Sequence, residues 1–173
     1  RTLVILISYS GNTRETLSMY GSAKDRGCPT VVITSGGRIM EMAQQDGRDV
    51  VHVPPGLQPR AALGYLLGSA AGVVESAGLA PMASDIRPFV PELESLMRDL
   101  LPGSPESNNA AKQIARRLLD SVPFVYAPRP LRSAATRWQT QINENSKMLC
   151  LSGEAPEMDH NQIVGWIDGD RDP

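Results

Sequence analysis

LVILISYSGNTRET, residues 3–16, decides how the rest of the chain is read. The run Leu3-Val4-Ile5-Leu6-Ile7 lacks polar alternation, as expected of a strand buried on both faces of a parallel sheet. It leads into Ser8-Tyr9-Ser10-Gly11-Asn12-Thr13, short hydroxyl side chains around a glycine, and then into a helix predicted over Thr13 to Arg26 with Glu15 in its first turn. Unpaired N–H groups at a helix start, the positive end of the helix dipole and nearby hydroxyl donors together make an anion site, and the expected anion is a phosphate. A plainer use of the same residues is capping, in which Thr13 and Thr16 only start the helix. Three hydroxyls and a glycine in six residues exceed what a cap requires. Neither GxGxxG nor a terminal Gly-Lys-Ser/Thr is present, so a nucleotide is not the first expectation.

The same strand, loop and helix order recurs. Thr30 to Thr34 is a second apolar strand, and Ser35-Gly36-Gly37 opens a helix from Arg38 to Gln45. That turn reads as a tight connection more than as a second ligand loop. Val50 to Val53 is a third strand, followed by Pro54-Pro55-Gly56-Leu57-Gln58-Pro59-Arg60 and a helix over Ala61 to Ala77. Arg60 sits in the first turn of that helix, where a cation opposes the dipole, so its placement suggests a ligand more than stability. Gly64, Gly68 and Gly72 recur every four residues and would admit a neighbouring backbone. The fold class is α/β, a doubly wound parallel sheet with its ligand loops at the carboxyl ends of the strands. That rule puts residues 8–13 and Arg60 on one rim.

Residues 78–88, with Pro81 and Pro88, read as a break. Two helices, Phe89 to Leu101 and Pro105 to Ser121, precede a strand at Val122 to Ala127, a helix from Leu131 to about Asn145, a strand at Met148 to Leu151 and a short helical segment from His160 to Trp166. The domain organisation is a partial first subdomain at 1–80, a helical crossover at 81–121 and a partial second subdomain at 122–173. Arg1 is followed at once by an interior-looking strand, which is how a fragment begins.

Composition narrows the function. The chain has 173 residues and a net charge of −2 with acidic and basic residues interspersed, which leaves no footprint for nucleic acid or an anionic membrane. Cys28 and Cys150 form no CxxC, so a reduced, cytoplasmic setting is expected. Two histidines, His52 and His160, are too few for a clustered zinc site, and no metal is expected. No apolar stretch approaches the roughly 20 residues of a membrane span.

SYSGNTRET resembles the phosphate loop of the sugar isomerase (SIS) fold. PPGLQPRAALGY at 54–65, RWQTQINENSK at 137–147 and PEMDHNQIVGW at 156–166 add to it, and together they resemble the bifunctional phosphoglucose/phosphomannose isomerases. The resemblance implies a SIS, flavodoxin-like subdomain followed by part of a second. It implies phosphate ligands at Ser8, Ser10 and Thr13, a proton-shuttling base at Glu144, an enediolate-stabilising arginine at Arg60 and a ring-opening histidine at His160 contributed across a homodimer interface. The substrates would be glucose 6-phosphate, mannose 6-phosphate and fructose 6-phosphate, with no cofactor, because proton transfer through an enediol needs neither redox nor metal chemistry. A glutamate serving as base near neutrality works best away from bulk water, so Glu144 is expected to be partly buried, with Asn143 and Asn145 orienting it or the substrate hydroxyls. The family also uses an upstream glycine/serine loop and a lysine near the C-terminus, and neither is found in these 173 residues. The rival reading is a non-catalytic sugar-phosphate sensor or assembly domain. A different SIS isomerase or an amidotransferase-type domain fits the phosphate loop but not DHNQ.

Overall fold

Both faces of the first three strands are apolar because helices cover both. In the computed structural model, which describes residues 2–167, β1 (Val4–Ile7), β2 (Thr30–Thr34) and β3 (Asp49–His52) form a parallel sheet in the order β1-β2-β3. Leu6 lies opposite Val32, and Val32 opposite Val50. This row packs against α1 (Arg14–Asp25) and α2 (Gly37–Gln45) through Tyr20, Ile39 and Ala43. The alternate row of Ile5, Ile33 and Val51 packs with Leu66, Ala70 and Val73 of α3 (Leu63–Ser76). Each strand thus hides side chains in both directions, as the unbroken apolar runs require.

β2 is the central strand, with Val32 and Ile33 fully buried. β1, interior-looking in sequence, pairs only with β2 among the described residues, and Ile7 is 43% exposed. Apolar runs report covered faces, whereas centrality depends on which strand lies alongside. Between α1 and α2, the Tyr20 hydroxyl donates to Asp46 Oδ2 at 2.8 Å and Lys24 Nζ pairs with Asp46 at 2.6 Å. The bonds from Lys24 and Tyr20 hold the Asp46 carboxyl below the usual carboxylate range.

The expected break after α3 contains α4 (Met82–Ile86), anchored where the Ser84 N–H and hydroxyl both donate to Glu75, at 2.8 and 2.7 Å. α5 (Val90–Asp99) follows. The chain divides into two compact units, one running to Glu94 and the other from Ser95. Arg1 and residues 168–173, which fall in the expected first and last subdomains, lie outside the described residues.

The second unit holds α6 (Ala110–Arg117), capped where Asn109 Oδ1 accepts the Lys112 N–H at 3.0 Å. β4 (Phe124–Pro128), α7 (Arg132–Gln141) and β5 (Leu151–Ala155) then make a parallel βαβ unit, with Phe124 opposite Leu151 and Pro128 opposite Ala155. The strand expected at Met148 to Leu151 therefore begins later. Cys150 is held instead by the side chain of Asn143, whose Oδ1 accepts the Cys150 N–H at 2.7 Å, so sheet pairing starts at Leu151. α8 (Gln162–Ile167) closes the described chain, with Trp166 edge-on to Phe124 at 5.2 Å between ring centroids. No helix among the described residues is long and apolar enough to cross a membrane.

Candidate functional site

The hydroxyl loop at the end of β1 is held open by its own hydrogen bonds. Ser8 is buried, and its Oγ shares a hydrogen bond with Thr13 Oγ1 at 3.0 Å and accepts the Gly11 N–H at 3.2 Å. Ser10 Oγ accepts the Asn12 N–H at 3.4 Å. Thr13 occupies the N-cap position of α1 with extended backbone, yet its side chain makes no capping bond. The first intrahelical donor in this turn is Leu17, to the Thr13 carbonyl at 3.0 Å, which leaves the preceding N–H groups for another acceptor. The capping use of Thr13 is thus not adopted, and its hydroxyl stands with that of Ser8 beside the open start of α1. Ser10 and Thr13 are both exposed, so an anion can reach them.

The Ser35-Gly36-Gly37 turn is a connection, as read, but it also supports this loop. The Ser35 N–H and hydroxyl both donate to the Tyr9 carbonyl, at 3.0 and 2.6 Å, and the Ile39 N–H donates to the Gly11 carbonyl at 3.0 Å. Asn12 Oδ1 accepts the Arg38 N–H at 3.0 Å. Gly11 has φ +68° and lies so close to the turn that an added Cβ would sit 1.8 Å from the Gly36 carbonyl oxygen. At Gly37, φ +74°, a Cβ would lie 2.3 Å from the Ser10 carbonyl oxygen. The paired glycines were the sequence signal of this backbone-to-backbone contact.

Arg60 lies in a single helical turn, Pro59–Ala61, between β3 and α3. It is half-buried and leaves the same end of the sheet as the hydroxyl loop, as the carboxyl-end rule requires of parallel strands.

In the second unit Glu144 is exposed, not partly buried. It belongs to a π-helical turn, Ile142–Ser146, that ends with Lys147 in the left-handed conformation at φ 55°. Such turns widen the helix by one residue and alter which side chain faces inward. Asn143 takes the inward position: Cys150 N–H donates to its Oδ1, and its Nδ2 lies 3.4 Å from the Cys150 carbonyl. Asn143 therefore spends its amide on fixing the turn, while Asn145 Nδ2 donates to Gln141 at 2.5 Å and Lys147 Nζ donates to the Glu144 carbonyl at 2.6 Å. His160 follows the short turn Glu157–Asp159, donates its N–H to the Glu157 carbonyl at 3.1 Å and has an exposed side chain. Among the described residues no group of three or more His, Cys, Asp or Glu is gathered as a metal site.

Residues 107–173 match the family described as the bacterial phospho-glucose isomerase C-terminal SIS domain. A bifunctional phosphoglucose/phosphomannose isomerase from Caldicellulosiruptor bescii is 42% identical over 172 residues, covering 95% of this chain and 49% of that protein. A protein of the same name from Aquifex aeolicus is 38% identical over 164 residues, covering 95% and 48%. Among solved structures, a glucose-6-phosphate isomerase-like protein from Thermus thermophilus superposes with a TM-score of 0.56 at 21% identity, over 95% of this chain and 59% of that one, a likeness of fold. The chain spans about half the length of the curated relatives it matches.

Proposed function

We propose that this chain, a relative of the SIS-fold bifunctional phosphoglucose/phosphomannose isomerases, works as part of a sugar-phosphate aldose–ketose isomerase. The reaction interconverts glucose 6-phosphate or mannose 6-phosphate with fructose 6-phosphate. The observation that carries the reading is the Thr13 hydroxyl, which lies at the start of α1 without capping it and hydrogen-bonds Ser8.

The phosphate binds Ser8, Ser10 and Thr13 and the open N–H groups of α1, which anchors the substrate far from its reacting carbons. Glu144 removes the proton from C2 of the aldose, the C1–C2 bond gains double-bond character and the carbonyl oxygen becomes an enediolate oxygen. Arg60 stabilises that charge. The same carboxyl returns the proton to C1 while the hydroxyl proton on O2 passes to O1, so that C2 becomes the carbonyl of the ketose. The electrons are redistributed within the substrate, so no cofactor enters. In the reverse direction, protonation of C2 from either face of the planar enediol gives the glucose or the mannose epimer. His160, whose imidazole offers ring nitrogens to donate and accept, is contributed across a homodimer and moves the proton of ring opening from the C1 hydroxyl to the ring oxygen as the C1–O bond of the ring breaks.

The test is a coupled assay of the full-length protein for fructose 6-phosphate formed from each aldose. Glu144→Gln is expected to lower kcat by about a thousandfold or more while sugar-phosphate affinity stays within a few-fold. Comparable rates would remove Glu144 as the base. Binding without turnover in the wild-type protein would favour the sensor reading.

A further inference from the structure

Tyr9 stands between two of the loop's hydroxyl residues, yet its own side chain serves a different loop. Its ring is buried with Ile33, Val53 and Ala62. Val53 immediately precedes the segment 54–58, and Ala62 immediately follows the turn that carries Arg60. The ring therefore shares one core cluster with both ends of that connection. The phenol reaches its middle, donating to the Pro54 carbonyl at 2.9 Å and accepting the Leu57 N–H at 2.8 Å. Meanwhile the Tyr9 carbonyl is held by Ser35 at the end of β2. One residue thus ties together the exits of all three strands of the sheet.

Packing alone would need only the ring. Pro54 and Leu57 lie in an exposed stretch, yet both bonds to the buried Tyr9 are part-buried, so they satisfy the phenol and the loop backbone together. What they add is position. Gly56, at φ +91°, lets the backbone turn back to reach the phenol.

We infer that Tyr9 is a positioning residue: through the Pro54 carbonyl and the Leu57 amide, its hydroxyl fixes the loop bearing Arg60 relative to the loop bearing Ser8, Ser10 and Thr13. The kinetic consequence rests on the isomerase reading, in which the phosphate is held at one loop and the enediolate charge is met from the other. Displacement of the order of an ångström between such groups lowers rates by up to about a hundredfold.

The experiment is Tyr9→Phe in the full-length protein, which keeps the ring in the core and should leave the thermal midpoint within about 5 °C. Expected are a fall in kcat of about tenfold or more and a change in KM of less than about threefold, because the phosphate ligands are untouched. Exchange of the Leu57 amide should accelerate about tenfold, with the Gly11 and Ser35 amides unchanged. In an Arg60→Lys background, Tyr9→Phe should lower kcat by less than about twofold, since the group it positions is already altered. Unchanged kcat, unchanged Leu57 exchange or fully additive losses would each overturn the inference. So would a rise in KM alone, which would assign Tyr9 to the phosphate loop. If the wild-type protein does not turn over sugar phosphates, the isomerase reading fails, and the exchange comparison still decides whether the phenol fixes the loop.

Discussion

Thr13 turns its hydroxyl to Ser8 at 3.0 Å and makes no bond to the helix backbone, although threonine ahead of a helix is ordinary capping chemistry. Changing Ser8 and Thr13 together to Ala is expected to weaken fructose 6-phosphate binding more than about tenfold while leaving the unfolding midpoint nearly unchanged. Calorimetry beside a thermal melt checks this, and unchanged affinity would remove the phosphate loop from the argument. Glu144 was legible as a carboxylate at the end of a helix, but its exposure was not, because a π-helical turn is set by the bond from Cys150 to Asn143, seven residues away. Tyr20 offers a residue-scale test of the first unit. Burial, followed by the hydrogen bond to Asp46, pushes its phenol from 10.0 up to about 12. The folded state holds that proton more tightly than the unfolded state, so the associated stability is complete below about pH 10 and is lost as pH rises toward 12. Urea titrations between about pH 9 and 12 should therefore show a steeper loss of stability in the wild type than in Tyr20→Phe.

At the scale of elements, the site depends on backbone packed against backbone. The β1 exit loop and the Ser35-Gly36-Gly37 turn touch so closely that Gly11 has no room for a side chain, quite apart from its positive φ. Gly11→Ala is expected to destabilise the first unit by about 3 kcal/mol, as strain and overpacking act together, and to abolish phosphate binding even at temperatures where the protein stays folded. Chemical unfolding and calorimetry separate the two effects. Legibility at this scale was uneven. β2 was read with its observed bounds, and α1, α2 and α3 within a residue or two, because each has a clear apolar pattern closed by glycine, proline or a polar turn. The strand after the π-helical turn was misplaced, since Met148 and Leu149 look strand-like but the Asn143 side chain holds the backbone at Cys150 out of the sheet.

At the scale of the whole molecule, the role proposed for His160 rests on assembly of two chains. If it serves the partner's substrate in a homodimer, mixing inactive Glu144→Gln and His160→Ala chains restores one working site in each mixed dimer, or roughly a quarter of wild-type activity for random pairing. No recovery would place His160 in the same subunit as the glutamate it serves. On α3 of the first unit Leu63, Tyr65 and Leu67 are about half exposed, and Gly64, Gly68 and Gly72 have nothing within 4 Å of an added Cβ. By itself the sequence determined the α/β class, the parallel arrangement and the loop that gathers hydroxyls at a helix start. Each of these follows from local pattern: apolar runs that demand cover on both faces, and a strand that feeds a helix through Ser, Gly and Thr. Only the tertiary structure decided that β2 is central, that Ser35-Gly36-Gly37 supports the hydroxyl loop, that Tyr9 reaches the Arg60 loop and that Asn143 turns inward. Those outcomes depend on contacts between residues distant along the chain, and the pattern within a segment carries no record of which other segment will lie against it.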